Sequence, residues 1–293
     1  MYDSLLFPTD GSEGAKAALG HVLDIAAAHD ATVHLLSVAD TRHDSVTRIG
    51  DEVVDALELE GQDIVDEAAS RAQERGVATE TAVLQGTPSA TIVDYADDRA
   101  VDLVAMPTHG RQGVERLLLG SVTERVVRRA TVPVLTIRPD EERLSYPYRN
   151  VLVPTDGSDC ADAALDAGIE VATATDADLH VLSVVDVTSL GVDVRAEFQV
   201  DVLEESANEI VTEAAETASA GGVEAVSGVV EFGSSIGRAI VEYAEEHDVD
   251  LVVVGTHGRT GLDRYLLGSV AEKLIRTAPV PVLTVRAPDA EEE

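Results

Sequence analysis

The sequence contains the same pattern of residues twice, and this duplication restricts its fold more than any other feature. Leu-Phe-Pro-Thr-Asp-Gly-Ser at 6–12 returns as Leu-Val-Pro-Thr-Asp-Gly-Ser at 152–158, and Thr-His-Gly-Arg at 108–111 returns at 256–259. A repeat of about 147 residues has the length of a domain and is too long for a solenoid unit. The sequence therefore predicts two tandem domains at 1–140 and 149–287, a linker at 141–148 and an acidic tail at 288–293.

Short apolar strands alternate with longer amphipathic stretches in each copy. The strand candidates of the first copy are Leu5–Pro8, Val33–Val38, Ala78–Leu84, Val101–Met106 and Val132–Ile137. The helix candidates are Glu13–His29, Glu52–Arg75, Ser89–Asp98 and Ser121–Ala130, and the second copy has a long acidic helix near Asp201–Ala220. This alternation indicates a parallel sheet covered on both faces. We predict an α/β fold with a doubly wound, Rossmann-like five-stranded sheet in each domain and the strand order 3-2-1-4-5.

A glycine-rich segment near the C-terminus has the spacing of a phosphate-binding loop. It reads Gly255-x2-Gly258-x9-Gly268-Ser269, after an apolar run and before a helix-like stretch. Glycines let the backbone approach an anion closely, and the first N–H groups of a helix point towards it. The first copy has Pro107-x2-Gly110-x9-Gly120-Ser121, in which proline replaces the first glycine.

Three repeated segments follow strands that are predicted to be neighbours. Pro8-Thr9-Asp10 ends the first strand, Ser37-Val38 ends the second, and the glycine-rich loop follows the fourth. Doubly wound sheets bind ligands beyond the carboxyl ends of their strands, where the winding reverses. We therefore expect these segments to meet in one crevice in each domain.

The charge of the chain is strongly negative and excludes several classes of function. There are 55 acidic and 21 basic residues, a net charge of −34, and the lysines are Lys16 and Lys273. Such a surface repels itself in dilute buffer and is screened in concentrated salt, which favours the cytoplasm of a halophile, expected to be haloarchaeal. Nucleic-acid binding requires a basic surface, and no apolar run approaches the roughly 20 residues of a membrane span. The single cysteine, Cys160, and the lack of a signal peptide favour a cytoplasmic location.

With these motifs, the chain resembles tandem universal stress proteins of the ATP-binding type, which are similar in fold to adenine nucleotide alpha hydrolases. The resemblance implies that a carboxylate of Asp10 or Asp156 accepts a hydrogen bond from adenine and that the backbone of Val38 or Val184 meets the base. It also implies that the glycine loops, the two serines and the helix starts hold the phosphates of ATP, ADP or AMP. Because the protein is acidic, the polyphosphate must be neutralised, and we expect Mg²⁺ to accompany it. The implied binding residues are Pro8, Thr9, Asp10, Val38, Met106, Gly110, Gly120, Ser121, Val122, Pro154, Thr155, Asp156, Val184, Val254, Gly255, Gly258, Gly268, Ser269 and Val270.

Several of these residues have an alternative interpretation. Asp-Gly-Ser is a common turn and helix-capping sequence, which by itself could account for Asp10 and Asp156. His109 and His257 are interpreted as loop histidines with backbone partners rather than catalytic residues. Arg111 and Arg259, next to the loop, are additional candidates for contacting the phosphates. Because Pro107 lacks an N–H, we expect the second copy to hold the better site.

Three functions remain open. The first is an ATP-binding protein with a sensor or regulatory role in stress response and no enzymatic activity. The second is a slow ATP hydrolase, although the G-x-x-x-x-G-K-[ST] spacing is absent from the sequence. The third is a structural dimer module with an AMP-binding or vestigial pocket. In the resembling family the fifth strands pair across a dimer interface, which implies an intramolecular pseudo-dimer of segments 132–137 and 280–285 and a possible further homodimer.

Overall fold

The computed structural model describes residues 2–40, 46–49, 52–110, 119–138, 144–187, 196–257 and 267–287. The chain forms two compact units, which divide between residues 140 and 141. We call them the first and the second domain. The elements of the first domain are β1 (Ser4–Pro8), α1 (Glu13–His29), β2 (Thr32–Asp40), β3 (Val46–Ile49), β4 (Glu52–Asp55), α2 (Ala56–Glu74), β5 (Thr79–Gly86), α3 (Pro88–Asp98), β6 (Leu103–Pro107), α4 (Ser121–Arg129) and β7 (Val134–Ile137).

The described part of the second domain repeats this order of strands and helices, except for the β3–β4 pair. Its elements are β8 (Asn150–Pro154), α5 (Asp159–Thr175), β9 (Asp178–Asp186), α6 (Ala196–Ala220), β10 (Val226–Gly233), α7 (Ile236–Glu246), β11 (Leu251–Gly255), α8 (Ser269–Thr277) and β12 (Val282–Val285). None of the helices in the described ranges combines the length and the apolar character that a bilayer crossing requires.

Each domain has a five-stranded parallel sheet with the predicted order. In the first domain β1 pairs with β2 on one side and β6 on the other, β5 pairs with β2, and β7 pairs with β6. The second domain has the same arrangement for β8 to β12. The predicted fold class and the strand order 3-2-1-4-5 are therefore confirmed.

The central strands are buried on both faces, as helices on both sides of a sheet require. Leu5, Leu6 and Phe7 of β1 are all 0% exposed, and so are Val151, Leu152 and Val153 of β8. Burial of such side chains is worth about 1.5–3 kcal/mol each. The ends of β1 and β8 are consequently held rigidly relative to the strands beside them.

The predicted helix over Glu52–Arg75 is wrong at its start. Residues Glu52–Asp55 form β4, which pairs antiparallel with Val46–Ile49, and α2 begins only at Ala56. Val53 and Val54 are β-branched, and they follow a segment with the same character, so a hairpin suits them better than a helical turn. The long helix α6 also begins before the predicted Asp201, at Ala196.

Candidate functional site

The sheet of the first domain opens between β1 and β6 at the carboxyl ends of these strands. The two strands pair at Leu5 with Leu103 and at Leu6 with Val104, whereas β1 stays paired with β2 as far as Pro8 and Leu36. Pro8 has no N–H group to continue a ladder towards β6. We call the space beyond this point the switch-point gap. The gap of the second domain lies between β8 and β11, where the pairing ends at Leu152 and Val252, before Pro154.

The segment after β1 forms a tight turn that presents Asp10 beside the switch-point gap. The Thr9 N–H donates to Leu36 O (2.9 Å), and the Thr9 hydroxyl oxygen accepts from the Gly11 N–H (3.2 Å). Asp10 Oδ1 accepts from the Ser12 N–H (3.0 Å), while Ser12 Oγ caps α1 by accepting from the Ala15 N–H (3.2 Å). Ser12 is therefore the helix cap, and Asp10 holds the turn before it.

The second domain repeats this turn with nearly the same distances. Thr155 Oγ1 accepts from the Gly157 N–H (3.1 Å), and Asp156 Oδ1 accepts from the Ser158 N–H (3.1 Å) and from Ser158 Oγ (2.6 Å). Both aspartates are half-buried. The hydrogen bonds of the Asp-Gly-Ser turn thus involve Oδ1 of each aspartate, as the turn interpretation predicts.

The backbone of Val38 faces the switch-point gap. In a parallel ladder the N–H and C=O groups of alternate residues point to the same neighbouring strand. Leu36 O accepts from Thr9 on the β1 side, and β1 ends at Pro8, so the backbone groups of Val38 point beyond the end of β1. Leu182 O accepts from Thr155 in the second domain, which directs the backbone of Val184 in the same way. A strand backbone aimed past its neighbour can bind the edge of a planar base.

The described ends of the glycine-rich loop are closed by a backbone hydrogen bond in each domain. The Gly120 N–H donates to Thr108 O (2.8 Å), and the Gly268 N–H donates to Thr256 O (2.8 Å). A Cβ atom on either glycine would lie 3.1 Å from the same carbonyl oxygen, so these positions favour glycine. The two threonine carbonyls were not among the predicted site residues, although their repetition in both copies was a signal for them.

Helices α4 and α8 begin at these glycines without a side-chain cap. Gly120 and Gly268 are the N-cap residues, and neither can supply a capping oxygen. Ser121 and Ser269 are exposed at the first helical position, and Val122 and Val270 are half-buried after them. Thr123 Oγ1 donates to Pro107 O (2.9 Å), which holds the first turn of α4 over the end of β6. The first N–H groups of a helix attract anions in such a position.

The remaining predicted residues differ in how close they lie to this arrangement. Met106 is 4% exposed and Val254 is 6% exposed, so their side chains belong to the core. Gly110 is exposed and lies against the Asp10 carboxylate. Gly255 is buried as the last residue of β11 and packs against α5. Gly258, Arg111 and Arg259 lie outside the described residues.

The loop histidines have side-chain partners rather than the expected backbone partners. His109 Nδ1 lies 3.1 Å from Thr108 Oγ1, and His257 Nδ1 lies 3.0 Å from Thr256 Oγ1. Burial and, to a smaller extent, the positive charge of Arg286 lower the pKa of His257, which keeps this ring neutral at pH 7. Within the described ranges no three histidine, cysteine or acidic side chains are grouped closely enough to hold a metal ion.

The Universal stress protein family profile matches the chain twice, over residues 1–138 and 147–286. A universal stress protein of Mycobacterium tuberculosis is 32% identical over 239 residues, which cover 78% of this chain and 78% of that protein. A universal stress protein of Methanocaldococcus jannaschii is 37% identical over 141 residues, 47% of this chain and 83% of the relative. The crystal structure of a universal stress protein from Archaeoglobus fulgidus covers 98% of this chain and 100% of its own, with 24% identity and a TM-score of 0.73, and so shares the fold. The chain belongs to the universal stress protein family.

Proposed function

We propose that each domain binds an adenine nucleotide in its switch-point gap and that the protein acts as a nucleotide-linked sensor or regulator. The observation that carries the proposal is the meeting of three kinds of group at the ends of β1, β2 and β6. A carboxylate can accept from the adenine amino group, a strand backbone can bind the edge of the base, and an uncapped helix start attracts phosphate. Binding of this kind needs no catalytic residue.

The negative charge of the protein bears on the form in which the nucleotide binds. A polyphosphate entering a chain of net charge −34 must be neutralised. We propose that it carries Mg²⁺, which keeps several waters and is bound mainly through phosphate oxygens. We also propose that the protein works in concentrated salt, where the screening length shortens to about 3 Å at 1 M.

A thermal-unfolding titration in molar KCl tests the proposal directly. A ligand at 100 times its dissociation constant adds about 2.7 kcal/mol to the free energy of unfolding. We expect this rise with ATP and Mg²⁺ and its loss in an Asp10→Ala/Asp156→Ala variant. Asp98→Ala/Glu246→Ala is the matched control. It removes the same charge from exposed positions at the ends of α3 and α7, which lead into the amino ends of β6 and β11, away from the switch-point gap. If no adenine nucleotide changes the thermal stability of the unaltered chain, the proposal is overturned.

Two finer questions stay predictions. Slow hydrolysis of ATP is tested by timed phosphate release, which should depend on Ser121 and Ser269 if the switch-point gap is responsible. Pairing of the fifth-strand segments 132–137 and 280–285 is tested by disulfide trapping, and association of whole chains by sedimentation.

A further inference from the structure

Gly110 has no local reason to be glycine. Its backbone does not adopt the left-handed conformation that favours this residue, unlike Gly11 and Gly157. Gly110 is also exposed, so burial does not limit the size of its side chain. Any constraint on the size of the side chain at position 110 must therefore come from a particular neighbour or from the ligand.

That neighbour is Asp10. The three heavy atoms nearest to a Cβ built on Gly110 are all from the Asp10 carboxyl group, with Cγ at 3.3 Å and Oδ1 at 3.8 Å, and Oδ2 is closer still. The contact joins residues that follow two different strands, β1 and β6. Because the carboxylate is the movable partner, a methyl group at position 110 would displace it rather than the backbone.

Displacement would change the direction of a carboxylate that the turn after β1 also helps to orient. Asp10 Oδ1 accepts from the Ser12 N–H at 3.0 Å within its own turn, and the carboxyl group also lies against Gly110 of the glycine loop. An adenine amino group can donate to a carboxylate, whereas the 6-oxo group of hypoxanthine cannot. The orientation of Asp10 therefore determines which base is accepted.

We propose that Gly110 is a positioning residue for base specificity. Because Gly110 has no side chain, the Asp10 carboxylate can keep the orientation that selects adenine over a 6-oxopurine. This inference rests on the proposed function and assigns Gly110 to recognition of the base. It contrasts with Gly120, whose contact is the Thr108 carbonyl and whose role is to close the loop. The glycine loop of the first domain thus contributes to binding of both the base and the phosphates of the nucleotide.

The test measures ATP and inosine triphosphate affinities by calorimetry in molar KCl with Mg²⁺. All variants carry Ser269→Glu, which places a carboxylate at the start of α8 and repels phosphate from the second domain. We expect Gly110→Ala and Asp10→Ala each to lower the ratio of ATP to inosine triphosphate affinity by about tenfold or more. The double variant should lose no more than either single one. Gly120→Ala should weaken both nucleotides and leave their ratio unchanged.

Asp10→Glu supplies a second route, because its longer side chain moves the carboxylate and leaves the loop sequence intact. It should lower the same ratio even if Gly110→Ala fails to fold. The inference would be overturned if Asp10→Ala lowers the ratio of ATP to inosine triphosphate affinity and Gly110→Ala leaves this ratio unchanged. It would also be overturned if a Ser269→Glu protein binds no nucleotide while the unaltered chain binds ATP. Failure of the unaltered chain to bind any adenine nucleotide would instead overturn the proposed function.

Discussion

Gly255 lies directly against the backbone of Cys160 in the first turn of α5. A Cβ atom on Gly255 would be 2.5 Å from the Cys160 carbonyl oxygen, 2.7 Å from its carbonyl carbon and 2.9 Å from its Cβ. Helix and strand can approach this closely only because the first glycine of the motif has no side chain. In the first domain Pro107 stands at the position of Gly255, and Gly14 stands at the position of Cys160. The larger residue at the strand end is matched by a smaller residue on the helix.

Gly255→Ala should destabilise the second domain. The obstructing atoms are helix backbone, which must shift to admit a methyl group, so we expect a loss of about 1–3 kcal/mol in the free energy of unfolding. Urea unfolding of the full chain in molar KCl measures it. Gly20→Ala is the control, because its nearest neighbours are Arg75 guanidinium nitrogens at 3.7 Å and alanine favours a helix. Equal stability of Gly255→Ala and the unaltered chain would contradict the packing argument.

Pro107→Gly should tighten nucleotide binding by the first domain. Thr108 N–H donates to Ile137 on the β7 side, so by alternation the backbone at position 107 faces the switch-point gap. Pro107 O accepts from Thr123 there, but proline has no N–H to donate. An added N–H to a charged phosphate should raise the ATP affinity about tenfold, as measured by calorimetry in the Ser269→Glu chain. Unchanged affinity would mean that this amide does not meet the ligand.

Asp162→Asn should stabilise the second domain in dilute salt. Partial burial and the neighbouring carboxylates, Asp159 first among them, raise the pKa of Asp162. A raised folded-state pKa means that stability falls as pH rises through it, so the substitution helps at pH 7 and has no effect below the ordinary pKa. Because the side chain is exposed, we expect a gain below about 1 kcal/mol, lost in molar KCl. Lys16 holds the equivalent position in the first domain and pairs with Glu67 at 2.9 Å.

His21→Leu should remove much of the acid sensitivity of the first domain. Burial lowers the pKa of His21 from 6.5 to about 4, and the residue is 3% exposed in α1. A lowered folded-state pKa means that only the unfolded chain takes up the proton as pH falls below 6.5, so stability is lost between that pH and about 4. The loss is roughly 2–3 kcal/mol. Unfolding between pH 7 and 4.5 in molar KCl measures the slope, which should flatten in the variant; identical slopes would refute this origin.

Much of the fold follows from local patterns of the chain. Ser12 as a cap and Asp30 in the left-handed region bound α1 at the predicted Glu13–His29. Continuous apolar runs such as Leu5-Leu6-Phe7 predict buried parallel strands because period and composition act over a few residues. The hairpin of β3 and β4 was missed because Val53 and Val54 directly precede a helical segment, and their pairing with Val46–Ile49 is not visible within that segment.

The sequence by itself determined the duplication, the order of the strands and helices that build the two parallel sheets, and the set of residues that follow the carboxyl ends of the strands. Only the tertiary structure decided what the described glycines of the loop contact. Gly110 meets Asp10, Gly120 meets Thr108, and Gly255 meets Cys160. Two of these contacts join segments that are far apart in the chain, and spacing along a sequence carries no information on distances of that kind. In the first domain the sheet sets these distances, because it holds the ends of β1, β2 and β6 next to one another.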